Sequence, residues 1–160
     1  MRTLLNLVIT VLATANVAVL TVTVSSLVGA CRSGEAPAPA QPAHPTVTQD
    51  PVLIGQVPAP ALAYVNAVNR NNLDSLVLAF DQTGAVRDVT RRIEGRAAIR
   101  TWAGREVMGG TLRVLGVERQ TPDRVRLLVH WAPGGSAGWR AYYTFTYADG
   151  LITLADLQYA

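Results

Sequence analysis

The chain has 160 residues, 49% hydrophobic and 16% charged, which suits one small globular domain with something added and excludes collagen-like and wholly disordered classes. All 14 basic residues are Arg, set against 11 acids for a net charge of +3, too mild a balance for a surface that tracks nucleic-acid phosphates. The one cysteine, Cys31, cannot close an internal disulfide, and with no His or second Cys beside it makes a poor metal site.

The first fifty residues read as an address. Between Arg2 and Arg32 lie 29 residues without a charge, longer than the roughly 20 apolar residues a bilayer-spanning helix needs. The run ends in Leu27-Val28-Gly29-Ala30-Cys31, which resembles a lipobox. In bacterial lipoproteins that resemblance implies a diacylated Cys31 thiol, cleavage just before it, and Cys31 as the first residue of the mature chain. The alternative is an uncleaved signal-anchor helix, since the stretch exceeds the apolar core of about 7 to 15 residues of a signal peptide. Both place the rest of the chain outside the cytoplasm, attached to the cell membrane. Residues 31–56 follow as a Pro- and Ala-rich linker, with APAPAQPAHP at 36–45; proline at this density favours extended polyproline II and predicts a semi-rigid spacer without a core of its own. His44 belongs to that spacer and is expected to be solvated.

The domain expected over 57–160 opens with helical spacing. Ala61, Tyr64, Val65 and Val68 share one helix face behind Pro60, and Asn71-Asn72 ends that helix. Leu73, Leu76, Val77 and Phe80 form a second stripe closing toward Gly84, taken as a helix exit. Ala85 to Val89 is extended, Thr90 to Gly95 turn-like, and a third helix from Arg96 buries Ala98, Ile99, Trp102 and Ala103 before Gly109-Gly110. Thereafter the period drops to 2, predicting a meander of antiparallel strands over 111–120, 124–132, 138–147 and 151–159. Three helices on the concave face of a curved antiparallel sheet is an α+β layout, a cone with room for a pocket.

Residues 59–160 resemble the nuclear transport factor 2-like superfamily, in its SnoaL-like and steroid-isomerase-like branch. The resemblance rests on the element order, Tyr64, Asn71-Asn72-Leu73-Asp74-Ser75-Leu76, Arg87-Asp88 ahead of Ile93-Glu94-Gly95-Arg96-Ala97-Ala98-Ile99, and Asp149-Gly150-Leu151-Ile152. The resemblance implies a homodimer through the sheet's outer face, as many relatives form, and the fold hosts isomerases, cyclases and non-catalytic pockets alike. In its steroid isomerases a helix-one Tyr donates to the substrate oxyanion and an Asp moves a proton. Tyr64 and Asp88 stand at those positions, while Tyr143 stands where the isomerase has a protonated Asp.

Two functions follow. One is a pocket that binds an apolar small molecule or supports a partner interaction; the other is an isomerase or cyclase with Asp88 as base and Tyr64 as oxyanion donor. The isomerase needs Asp88 near the Tyr64 hydroxyl, and an Asp88 locked against Arg91 or Arg92 removes it. Trp139, Tyr143 and Phe145, alternating on one strand face, and Trp102 are the expected ligand-binding residues. His130 alternates with buried Val129 and Trp131 and is expected on the outer face. Asp156 and Gln158 share a face of the last strand, opposite Leu157 and Tyr159, and neither face is singled out as the pocket wall. The arginines from Arg87 to Arg105 are read as a solvated face. No Walker loop, nucleophile elbow, metal cluster or dinucleotide fingerprint occurs, so no cofactor, no metal and no nucleic-acid partner is expected.

Overall fold

A computed structural model describes residues 46–160; Cys31, the uncharged run before it, His44 and the proline-rich start of the linker lie outside the described residues. The helices are α1 (Pro51–Gln56), α2 (Ala59–Asn69), α3 (Leu73–Leu78) and α4 (Gly95–Glu106). The strands β1 (Phe80–Asp88), β2 (Arg91–Glu94), β3 (Thr111–Thr121), β4 (Arg124–Ala132), β5 (Trp139–Ala148) and β6 (Leu151–Tyr159) form one sheet in the order β2-β1-β6-β5-β4-β3. The α+β class, the curved sheet and the helix-covered inner face are as the sequence implied.

The linker is the first correction, because it does not stay extended to Gln56. Asp50 Oδ1 accepts from the amides of Val52 at 2.8 Å and Leu53 at 3.2 Å, which caps α1, and Pro51 occupies a first turn where its missing N–H is no loss. Gln49 meanwhile behaves as a one-residue strand: its Nε2 donates to Leu112 O at 2.7 Å and its Oε1 accepts from Val114 N at 3.0 Å. Asn69 brackets the same residue, donating to Leu112 O and accepting from Leu112 N, both at 2.8 Å. Strand β3 is a sheet edge, and these two side-chain amides satisfy backbone groups that would otherwise pair with another chain.

Helix α2 buries Ala61, Tyr64, Val65 and Val68 on the expected face. Asn71 leaves it with φ +51°, a conformation Asn tolerates, and Asn72 Oδ1 accepts from Ser75 N at 2.9 Å to start α3. That second helix is shorter than its stripe suggested. Ile152 N donates to Ala79 O, so pairing with β6 takes over the backbone and Phe80 becomes the first, fully buried residue of β1. Gly84 is therefore no helix exit. It lies where β1 bulges against β6, so close that a Cβ there would sit 2.8 Å from Ile152 O.

Thr90 to Gly95 is likewise more than a turn, since Arg91–Glu94 pairs with β1 as a short edge strand. Its charged residues on both faces carry no period-2 signal. The Gly-Arg-x-x-Ile element explains itself physically: Arg96 donates Nε at 2.9 Å and Nη2 at 2.6 Å to Phe80 O, which clamps the start of α4 to the start of β1, while Ile99 is fully buried beneath. The sheet is antiparallel except at its centre, where β1 and β6 run parallel with Val86 opposite Ala155 and Asp88 opposite Leu157. That pairing corrects the wholly antiparallel expectation; a parallel pair needs a long crossover, and α4 with β3–β5 supplies it. The buried hydrophobics among the described residues run from Val57 to Leu157 and gather into one core cluster.

Candidate functional site

Alternation along β4, β5 and β6 turns Trp131, Trp139, Ala141, Tyr143, Leu157 and Tyr159 to the inner side of the sheet, where with Tyr64 of α2 and Trp102 of α4 they line a cavity of about 420 Å³. Its open side is flanked by the β1–β2 turn, Glu106 and a pair of exposed rings, Trp139 and Tyr159, whose centroids are 5.9 Å apart. All three tryptophans of the chain are in this wall.

Tyr64 is 1% exposed and is held by rings on three sides: edge-on to Phe80 at 6.1 Å, edge-on to Tyr143 at 6.3 Å, and tilted against Phe145 at 5.2 Å. Such pairs contribute about 0.5 to 1.5 kcal/mol each beyond area burial, so the phenol is rigidly placed. Neither the Tyr64 nor the Tyr143 hydroxyl bonds to a described residue, yet no buried side-chain oxygen is left unsatisfied; both hydroxyls therefore reach the cavity surface. Burial, reinforced by the Asp88 charge, pushes the Tyr64 phenol far above the ordinary tyrosine value. Burial first, then Tyr64 and Asp88, pushes Tyr143 well up too. Both remain protonated donors.

Asp88 ends β1 on the same wall. Its Oδ2 is bound by the Arg91 guanidinium and receives Trp102 Nε1 at 3.4 Å. Arg91 also grips Glu106, with Nη1 to Oε1 at 3.1 Å and Nη2 to Oε2 at 2.5 Å. Those bonds hold Glu106 below the usual carboxylate range and raise Arg91 further, the Glu106 bond contributing most to Arg91 and Asp88 next. A charged bridge thus spans one side of the mouth from β2 to the end of α4. Next to it Val89 is strained: a β-branched residue at φ +54°, its amide donating to Leu157 O at 2.9 Å and its carbonyl accepting from Gln158 Nε2 at 3.1 Å.

Of the residues singled out in the sequence, Tyr64, Asp88, Trp102, Tyr143 and Trp139 converge on this cavity. Phe145 does not line it; fully buried, it packs behind Tyr64. Asp156 faces the outer side, where it pairs with Arg87 and accepts from Gln158 Nε2 at 2.7 Å. His130 is also on the outer side, opposite Arg113 and Arg140. Sequence reasoning missed Trp131, Tyr159, Arg91 and Glu106 as parts of the site. The Tyr143–Leu157 register fixes which face of β6 is the wall, and a single strand's alternation does not contain that information.

The domain has the cone-shaped fold of solved nuclear transport factor 2-like proteins. Neither a family model nor a curated protein matches the sequence, and the likeness is one of structure. A protein from Sinorhizobium meliloti provisionally assigned as a polyketide cyclase is 21% identical over 66% of this chain and 98% of its own, with TM-score 0.58. A Mycobacterium tuberculosis protein solved with estradiol-17beta-hemisuccinate is 15% identical over 66% of this chain and 95% of its own, TM-score 0.58. A Δ5-3-ketosteroid isomerase from Mycobacterium sp. is 13% identical over 64% and 91%, TM-score 0.55. At these identities the fold is what is shared.

Proposed function

We propose that this chain is an envelope-anchored lipoprotein, held by Cys31 outside the cytoplasm, whose cone binds an apolar, ring-bearing small molecule carrying at least one oxygen acceptor. The observation that carries the ligand reading is the pair of partnerless, protonated hydroxyls of Tyr64 and Tyr143 on a cavity wall shared with the rings of Trp102, Trp131 and Trp139. Hydroxyls that reach a cavity wall without protein partners can donate to a ligand's carbonyl or hydroxyl oxygen, each such bond being worth about 1 kcal/mol. The neighbour solved with an estradiol derivative supports a ligand of that shape. Binding is preferred to isomerisation because Asp88 meets the condition that removes it as a base: its Oδ2 already serves a guanidinium and an indole N–H.

Because Trp102, Trp131 and Trp139 all line the cavity, their intrinsic fluorescence reads its occupancy. Titration with polycyclic ketones and phenols is expected to quench saturably, and Tyr64→Phe to weaken the tightest ligand about fivefold to tenfold. Saturation unaffected by Tyr64→Phe or Tyr143→Phe refutes the oxygen-acceptor reading. Turnover of an enolisable ketone that disappears in Asp88→Asn while binding survives would restore the isomerase. Anchoring is tested separately by labelling with a fatty-acid analogue: Cys31→Ser is expected to abolish incorporation, and retained label and membrane fraction would favour an uncleaved helix.

A further inference from the structure

The net charge of +3 conceals a sharp asymmetry. On the helix side of the domain four of the arginines are consumed: Arg91 by Asp88 and Glu106, Arg92 by Glu94, Arg100 by Asp74, and Arg96 by Phe80 O. On the outer face of β3–β5 they are not. Arg113, Arg119, Arg124, Arg126 and Arg140 all point away from the cavity; Glu118 comes within 3.7 Å of Arg126, and Asp156 of β6, already paired with Arg87, acts on Arg124 through its charge. The register sets Arg119 directly opposite Arg126, a like-charge cross-strand pair that costs stability. Tyr142 beneath Arg126, 3.9 Å from guanidinium to ring centroid, holds that cation in place. Between Arg119, Arg124 and Arg126 lies a cleft of about 290 Å³ floored by Thr121 and Thr144; the Thr144 hydroxyl can donate to an anion, whereas that of Thr121 donates to Asp123 Oδ1 at 2.8 Å.

Five guanidiniums stand here against Glu118 and the Asp123 of the β3–β4 turn, with Asp156 offset by Arg87; that surplus of three matches the charge of the whole chain, so the positive field belongs to this face. We propose that the outer face of β3–β5 docks on an anionic phospholipid surface, with the Arg119-Arg124-Arg126 cleft taking a headgroup phosphate. The choice of a bilayer rests on the anchored reading above, since the 29-residue uncharged run precedes this domain by a short linker. A second copy laid face to face would oppose ten guanidiniums, so the same charges disfavour dimerisation through this face.

The isolated domain, residues 46–160, suits the test, because its buried hydrophobics gather into one core cluster and a neighbour consists almost wholly of this domain. It lacks Cys31 and the apolar run, so its result is independent of the lipidation experiment. It should co-sediment with phosphatidylglycerol-containing vesicles, hardly at all with phosphatidylcholine vesicles, and lose binding steeply with added salt. Arg119→Gln with Arg124→Gln should weaken partitioning about thirtyfold, while Arg70→Gln with Arg105→Gln, equal in charge but on the helix side, should change it less than about threefold. Arg119→Gln alone should melt no lower than the wild type. Equal losses in the two double variants, binding to neutral vesicles, competition by inorganic phosphate at concentrations matching the lipid, or a destabilised Arg119→Gln would each overturn the proposal.

Discussion

Gly110 offers the sharpest test of how the cavity wall is built. A Cβ at that position would lie 2.3 Å from Trp131 Cη2, 2.8 Å from Cζ3 and 3.0 Å from Ala132 O. Carbon atoms rest at about 3.5 to 4 Å, so in Gly110→Ala the indole must withdraw by more than an ångström. It has little room to do so. Trp131 is 8% exposed, its strand is paired on both sides, and the free direction is the cavity itself. Gly110 has no positive φ, so the penalty is steric: about 1 to 3 kcal/mol, typical of overpacking. At roughly 4 to 8 °C per kcal/mol, the melting temperature should fall by about 4 to 24 °C. Trp131→Phe deletes the offending ring atoms, so a thermal-melt double-mutant cycle should give a favourable coupling of about 1 to 2 kcal/mol. Additive effects, or a Gly110→Ala variant that melts with the wild type, would refute the close approach. Ligand quenching should weaken in Gly110→Ala and recover partly in the double variant.

Three further outcomes follow from particular side chains. Val89→Asn should stabilise the domain by about 1 kcal/mol in a chemical denaturation curve, because Asn accepts the left-handed backbone that strains Val, and a lower midpoint would contradict this. Arg87, with help from Gln158, holds the Asp156 carboxyl below its ordinary value, so the stability it contributes is present above the unfolded value of about 3.9 and is lost as pH falls through the folded one. Asp156→Asn should therefore flatten the acid limb below about pH 4, at a cost near neutral pH of about 1 kcal/mol or less since Arg87 is solvent-screened. Because the Tyr64 and Tyr143 phenols are both raised, ligand affinity should stay level up to the ordinary tyrosine value of about 10 and beyond, and a fall in fluorescence-detected binding near pH 9 would mean that a different group holds the ligand.

The sequence by itself determined the elements whose signals are local. The 3.6 spacing of Ala61, Tyr64, Val65 and Val68 and the period-2 runs of β4, β5 and β6 came through because each inner face is buried over most of its length, and the Gly-Arg-x-x-Ile element pointed to the right fold. That Tyr64, Asp88 and Trp102 reach one cavity follows from the same kind of signal, since they lie at fixed positions on elements already placed. Only the tertiary structure decided what depends on two segments meeting. Phe80 left the helix because Ile152 claimed the carbonyl before it, and β2 formed on β1 without any hydrophobic pattern. Gln49 closed the β3 edge from more than sixty residues away. Asp88 acquired Arg91 through the β1–β2 pairing and Trp102 through α4 packing, which turned a candidate base into an anchored acceptor. The charge asymmetry was hidden for the same reason: composition averages over arginines that are ion-paired and arginines that are not, and only the register shows which are which.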